Sequence, residues 1–195
     1  MLKILFEHSI FLHQKNGGIS KYIRNLNYEL NKNNINSRIY SPITINDNLN
    51  LSDKKNIYYL KINKIPRFFR KILYGINNFL TLLYIELFKP DIVHFSYYNE
   101  YLSSFIKIPY VITVYDLIHE KIYPSHNTFK KKKLIKNASH IICISKNTKK
   151  DLIKFYRVDK KKISVIYLGV KKRKLKKISK EKFIFYVGSR TRYKN

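Results

Sequence analysis

The sequence predicts an α/β fold, a Rossmann-like parallel sheet flanked by helices. Short β-branched or aromatic runs alternate with longer helical stretches along most of the chain, the pattern of βα units around a parallel sheet. Some runs are apolar at every position, as in Ile141-Ile142-Cys143-Ile144, which suits strands covered on both faces. Glycine-rich or polar clusters follow several runs, at the strand ends where open α/β sheets take ligands.

Strands are predicted at Lys3 to Glu7, Asn36 to Tyr40, Asn56 to Leu60, Asp91 to Phe95, Tyr110 to Val114, His140 to Ile144 and Ser164 to Tyr167. The opening segment, Met1 to Leu12, is apolar in parts but includes Glu7 and His8 and has no small-residue cleavage site, so it reads as a strand and not a signal peptide. Helices are predicted at Ile19 to Asn31, Phe68 to Phe88, Phe129 to Lys136 and Thr148 to Phe155, with Ser145 and Asn147 both placed to cap the last. Phe68 to Phe88 is the most membrane-like stretch, but Arg70, Lys71, Asn77, Asn78 and Glu86 interrupt it. It reads as an amphipathic helix with one buried side.

The domain reading is 1–170 as one Rossmann-like unit, 171–180 as a basic, solvated linker with almost no apolar residue, and 181–195 as a further strand, Phe183 to Val187, with a basic loop. That strand is either an edge of the preceding sheet or the opening of a second domain whose remainder is absent.

Of 195 residues, 40 are Lys or Arg and 12 are Asp or Glu, a net charge of +28. Such an excess favours anionic partners: phosphorylated substrates, nucleic acid or an anionic membrane face. With 45% hydrophobic and 15% aromatic residues, the chain is no disordered polyelectrolyte. The single cysteine, Cys143, excludes an internal disulfide and a Cys-based zinc cluster and suits a reducing compartment. A cytoplasmic protein, peripheral at the inner face of the cell membrane, is expected.

Five segments carry candidate chemistry. In Lys15 to Tyr22, Gly17 and Gly18 precede a helix; the pair permits positive φ and close ligand approach, and the helix start attracts phosphate, or it is a tight turn. In Thr113 to Glu120, Asp116 orients a hydroxyl or accepts a proton and His119 titrates near neutrality, or Asp116 caps a turn while His119 and Glu120 are solvated. In Pro90 to Asn99, His94 reads as a satisfied core histidine, while Tyr97, Tyr98 and Asn99 offer stacking faces and hydrogen bonds to a sugar or base, or ordinary packing. Lys171 to Lys177 is a phosphate-neutralising run or a solvated linker, and no recognised nucleic-acid motif accompanies it. In Tyr186 to Asn195, a glycine after a strand followed by Arg190 and Lys194 is a candidate diphosphate clamp or simply a basic C-terminus.

In their order, these segments resemble the glycosyltransferase family 4 group, retaining enzymes of the GT-B fold. The resemblance runs from Lys3-Ile4-Leu5-Phe6-Glu7-His8 and Gly17-Gly18-Ile19-Ser20-Lys21-Tyr22 through Pro90-Asp91-Ile92-Val93-His94 and Thr113-Val114-Tyr115-Asp116. It continues through Ile141 to Ser145 and Lys162 to Val170, and ends with Tyr186-Val187-Gly188-Ser189-Arg190 and Tyr193-Lys194-Asn195. It implies two Rossmann-like domains across a cleft, of which this chain holds the N-terminal, acceptor-side one and only the start of the donor side. It implies transfer of a sugar, with retention, from a nucleotide-sugar donor to a glycan or lipid-linked acceptor in cell-surface polysaccharide or lipopolysaccharide synthesis. By position, Gly17 and Gly18 approach the donor phosphates or the transferred sugar, Arg190 and Lys194 hold the diphosphate, Tyr115 and Asp116 occupy the catalytic motif, and Tyr97, Asn99 and His119 are acceptor-side candidates. No cofactor or metal is implied, because the basic pair takes the cation's role. Many members have histidine where this chain has Tyr115, a poor base near neutral pH. The expectation is a truncated catalyst that needs a separate chain to supply the C-terminal domain. The alternative is a non-enzymatic basic α/β module binding nucleic acid or another polyanion.

Overall fold

A computed structural model describes residues 1–50, 56–122 and 128–170, together with Lys182, Ile184 and Tyr186. The predicted linker 171–180, the strand Phe183 to Val187 as a whole, Arg190 and Lys194 lie outside the described residues.

Seven strands, all parallel, form one sheet in the order β3-β2-β1-β4-β5-β6-β7. They are β1 (Lys3–Phe6), β2 (Asn36–Thr44), β3 (Ile57–Lys61), β4 (Ile92–Phe95), β5 (Tyr110–Val114), β6 (His140–Cys143) and β7 (Ile163–Val165). The helices are α1 (Ser9–His13), α2 (Gly18–Lys32), α3 (Arg70–Phe88), α4 (Glu100–Phe105), α5 (Ile118–Ile122), α6 (Thr128–Asn137) and α7 (Lys146–Tyr156). The predicted Rossmann-like class is what the chain adopts. Each of the seven strands predicted between Lys3 and Tyr167 is present within a few residues, and Tyr110 to Val114 matches at both ends.

Strand order reverses between β1 and β4, so the connections leaving them diverge and open a crevice at their carboxyl ends. Consecutive apolar residues put side chains on both sheet faces. Leu5, Val93, Phe95, Ile112, Val114 and Ile141 belong to one core, and Phe6, Ile10, Ile23 and Ile39 to a second. Cys143 is buried and free, and burial pushes its thiol up to about 11, so it packs as a small apolar group.

Three helices have no counterpart in the sequence reading: α1, α4 and α5. Ser145 alone caps α7, its Oγ accepting from Thr148 N at 3.0 Å, while Asn147 is exposed within the helix. Two helices end on a left-handed residue other than glycine, Lys89 (φ 49°) after α3 and Arg157 (φ 50°) after α7.

The long helix α3 has one buried side, as expected, but that side is largely polar: Asn77, Asn78 and Thr81 lie inward with Ile85 and Phe88. Asn77 explains why. Its Oδ1 accepts from Ile43 N at 2.9 Å and its Nδ2 donates to Ile43 O at 2.8 Å, where β2 slips register between Ser41 and Ile43. The irregular strand leaves backbone groups without a ladder partner, and the amide satisfies both.

Replacing Asn77 by Ala strands those two backbone groups; a loss of about 2–3 kcal/mol in urea-denaturation stability is expected. Asn77→Asp, which keeps an acceptor but loses the donor, should also destabilise.

Candidate functional site

The crevice between β1 and β4 is floored by the carboxylate of Glu7, fully buried just beyond β1. Its Oε1 accepts from Ser96 N at 2.8 Å, Ser96 Oγ at 2.6 Å and Tyr97 N at 3.4 Å. Its Oε2 accepts from Ser9 N at 2.8 Å, Ser9 Oγ at 2.5 Å and Asn99 Nδ2 at 3.4 Å. A buried carboxylate is tolerable only when so provided with donors. Ser9 spends its hydroxyl proton on Glu7, so the Tyr74 hydroxyl 3.1 Å away is the donor in that contact. Burial and the nearby Glu7 charge push the Tyr74 phenol upward, which keeps it protonated for this purpose.

His8, also fully buried, lies 3.1 Å from Thr81 Oγ1 through Nδ1. Thr81 gives its only proton to Asn77 O at 2.7 Å, so His8 Nδ1 must carry the hydrogen and Nε2 the lone pair. Nε2 has no hydrogen-bond partner among the described residues. Burial brings the His8 pKa down to about 4 against an opposing pull from Glu7, so the ring is neutral at pH 7. His94 is the satisfied core histidine expected: Nε2 is 2.9 Å from Thr113 Oγ1, the ring lies against Phe6, and burial brings it also to about 4.

Around this floor stands a rim of candidate binding groups. Gly17 is the N-cap of α2 and has extended backbone (φ −175°), and neither glycine of the pair has positive φ. The glycines therefore serve by lacking a side chain. A Cβ on Gly17 would strike the Gln14 side chain, whereas one on Gly18 would meet nothing within 4 Å, so the space over Gly18 is open. Among the described residues no side chain caps α2, and its first amides remain available to an anion. Asn48 Nδ2 holds the turn by donating to Gly17 O at 3.2 Å and Ser20 Oγ at 2.8 Å.

Tyr22, one turn into α2, meets Tyr115 edge-on with ring centroids 6.0 Å apart, and this contact brings the glycine turn and the end of β5 together. The Tyr115 hydroxyl is buried without a hydrogen-bond partner among the described residues, and burial pushes its pKa upward. It is a proton donor with a vacancy, not a base. Asp116 is exposed, and its Oδ1 accepts from Ile118 N at 3.2 Å, so it does cap the turn into α5. Tyr97 is half-buried against His13 at 5.6 Å, and burial, with the Asp116 and Glu120 charges, pushes its phenol upward.

Three sequence candidates sit differently. Asn99 is buried and its amide is spent: Oδ1 accepts from Leu102 N as the cap of α4, and Nδ2 donates to Asn78 Oδ1 at 2.8 Å as well as to Glu7. His119 is exposed on α5. Glu120, read as solvated, is instead buried, taking 2.6 Å and 2.5 Å contacts from Lys131 Nζ and Tyr156 Oη. Burial raises its carboxyl, but Lys131 and Tyr156 outweigh that and hold it below its ordinary value. Lys131 also lies over the Tyr98 ring at 3.9 Å, so Tyr98 packs instead of lining the crevice.

The sequence does not single out Ser9, Tyr74, Asn78 or Ser96 as site residues, nor Glu7 as their organising group. The signal available was Glu7-His8, two ionisable residues at the end of an apolar strand. A separate groove of about 370 Å³ lies at the opposite, amino edge of the sheet beside Arg24, Asn31 and Asn56. Its Asn31 amide is already committed to Asn27, Ser37 and Asn56.

The profile of the family described as Glycosyltransferase Family 4 matches residues 16–174. No curated protein sequence matches the chain. Among solved structures, the chain is similar to a glycosyltransferase from Rickettsia africae (20% identity, TM-score 0.59, covering 87% of this chain and 43% of that one). It is similar also to Anabaena HepE, solved in complex with UDP-glucose (15% identity, TM-score 0.64, 87% and 44% covered). A third is the sucrose-phosphate synthase of Thermosynechococcus elongatus (12%, TM-score 0.63, 87% and 49%). At these identities the likeness is one of fold, and the chain spans less than half the length of each of these structures.

Two buried neutral histidines set an acid limit on this site. Unfolded, each binds a proton near pH 6.5; folded, neither does until about pH 4. Stability is therefore full above pH 6.5 and is lost as pH falls toward 4, by up to about 3 kcal/mol per pH unit for the pair. Thermal melts should be flat from pH 8 to 7 and fall steeply between 6.5 and 5, and His94→Asn should roughly halve that slope.

Proposed function

The chain belongs to glycosyltransferase family 4, and from that premise we propose that it forms the acceptor-side half of a glycosyltransferase that uses a nucleotide-sugar donor. The observation that carries this reading is the open, uncapped start of α2 at Gly17 and Gly18, joined through Tyr22 to Tyr115 at the crevice where the strand order reverses. A donor diphosphate, or the sugar it carries, would lie over Gly18, where free amides and the positive helix end favour negative charge. The unpaired Tyr115 hydroxyl would donate to a sugar or phosphate oxygen. Asp116, at the exposed rim, would orient an acceptor hydroxyl, with Tyr97 as a stacking face and His119 further out.

In this reading the protein's main contribution is to hold the departing diphosphate so that charge developing on it is stabilised as the glycosidic bond breaks. Transfer proceeds with retention and without a metal, Arg190 and Lys194 supplying positive charge. The remaining wall of the cleft comes from polypeptide outside the matched half, contiguous or separate. The acceptor is a glycan or lipid-linked sugar of the cell surface, and the site of action is the cytoplasmic side of the membrane. Similarity to a fold solved with UDP-glucose supports the donor class, though not the particular sugar or base.

Calorimetric titration with uridine, guanosine and adenosine diphosphates and their glucose conjugates tests the donor assignment. One of them should bind, and Gly18→Val should weaken it about tenfold while leaving the melting temperature unchanged, since the added side chain enters open space. No binding by any member of the panel would overturn the assignment. Tyr115→Phe should lower transfer tenfold or more, and product anomers read by proton NMR should match the donor's, with chelator present or absent.

A further inference from the structure

Helix α3 carries on its outer side an apolar stripe that has no partner among the described residues. Ile72, Ile76, Phe79, Leu83 and Leu87 recur at helical spacing and are exposed, Phe79 by 61% and Leu87 by 81%, with Phe68 and Phe69 continuing the line ahead of the helix. From Ile72 to Leu87 this makes an apolar ridge about 22 Å long. The usual arrangement is reversed, because the amides and hydroxyl that would normally face water are turned inward and hydrogen-bonded to β2, His8 and Asn99. A soluble monomer seldom leaves so continuous a patch bare.

Charge selects the occupant. Exposed Lys64, Arg70 and Lys71 stand at one end of the stripe and Lys89 at the other, Glu86 is the single acid of α3, and the whole chain carries +28. Apolar residues bordered by cations match an anionic lipid surface, where side chains enter the acyl boundary and the cations meet headgroups. No helix among the described residues is long and apolar enough to cross a membrane, so a helix so placed would lie in the interface. The start of α3 adjoins the crevice: Tyr74 reaches Ser9 and the His13 ring, and Arg70 acts on His13. We propose that α3 is a membrane-docking element that seats this protein on anionic lipid through Ile72, Ile76, Phe79, Leu83 and Leu87, with the mouth of the crevice held near the headgroups. The assignment stands independently of the sugar-transfer reading.

Cosedimentation of the full chain with phosphatidylcholine vesicles, with and without phosphatidylglycerol, provides the test. Binding should be strong only with the anionic lipid, and Phe79→Ser/Leu83→Ser, which alters no charge, should reduce partitioning tenfold or more with the melting temperature retained. Lys146→Glu/Lys150→Glu on α7 should cost less; an equal or greater loss there would mean that the overall charge binds and α3 does not. Because the chain has no tryptophan, Phe79→Trp gives a single probe in a conservatively altered protein. Its emission should shift to the blue on anionic vesicles, and an unshifted emission would overturn the proposal. A wild-type dimer in sedimentation velocity, dissociated by the serine pair, would assign the stripe to a second copy and overturn it too. Nucleotide binding is read separately, so either reading can fail alone.

Discussion

The Glu7 carboxylate is the constraint around which the carboxyl edge of the sheet is built. A parallel sheet that reverses strand order must leave a gap beyond the two strands at the reversal, and the backbone turning away there loses its ladder partners. Glu7 satisfies that gap from within, collecting donors from α1, from the turn after β4 and from the cap of α4. One side chain thus ties the segment after β1 to the segment after β4, 89 to 92 positions further along the chain. The floor of the crevice is consequently an acceptor surface, with both Glu7 oxygens already supplied with donors. An anionic ligand gains nothing by going deep and is directed to the rim, where the amides of α2 and the Tyr115 hydroxyl still have capacity.

The same logic extends into α3, which is held by directional bonds at places where most helices rely on apolar burial. Asn77 completes the bulged strand, Thr81 links Asn77 to His8, and Asn78 meets Asn99 beside Glu7. Such contacts fix rotation about the helix axis more tightly than apolar packing does, since a small turn breaks several bonds together. That rigidity is what leaves the apolar residues of α3 committed to the outside. Neutral His8 and His94 belong to the same interior and make its integrity sensitive to acid.

The strands are legible because a doubly covered parallel strand is a near-continuous apolar run, a local property seen in Tyr110 to Val114, where only Thr113 interrupts it, and in Ile141 to Cys143. Helix α1 was not, because Ser-Ile-Phe-Leu-His prolongs the apolar run of β1 with no helical period and buries four of its five residues. Glu7 was equally obscure: its partners Ser96 and Asn99 lie 89 and 92 positions away, and only the reversed strand order brings them near. Asn99 and Glu120 show the converse error, since polar residues after a strand look ligand-facing or solvated until a cap or a buried lysine claims them. Of the two uses expected of the glycine pair, positive φ is not found, whereas room for close approach is, since Gly18 supplies open space and not left-handed backbone. Tyr115 and Asp116 stand at the rim where the motif placed them, and Arg190 and Lys194 lie outside the described residues.

The left-handed residues that terminate α3 and α7 show a local use for some of the positive charge. Glycine normally takes such positions, and an L residue there gives up about 1–2 kcal/mol of backbone energy. Lys89 and Arg157 place a cation against the negative end of the helix dipole, which returns about 0.3–1 kcal/mol of that cost. A lineage drifting toward lysine could lose glycine from these corners without losing the corners themselves. With 5 glycines beside 40 basic residues, the chain closes these two helix ends with cations held in left-handed backbone.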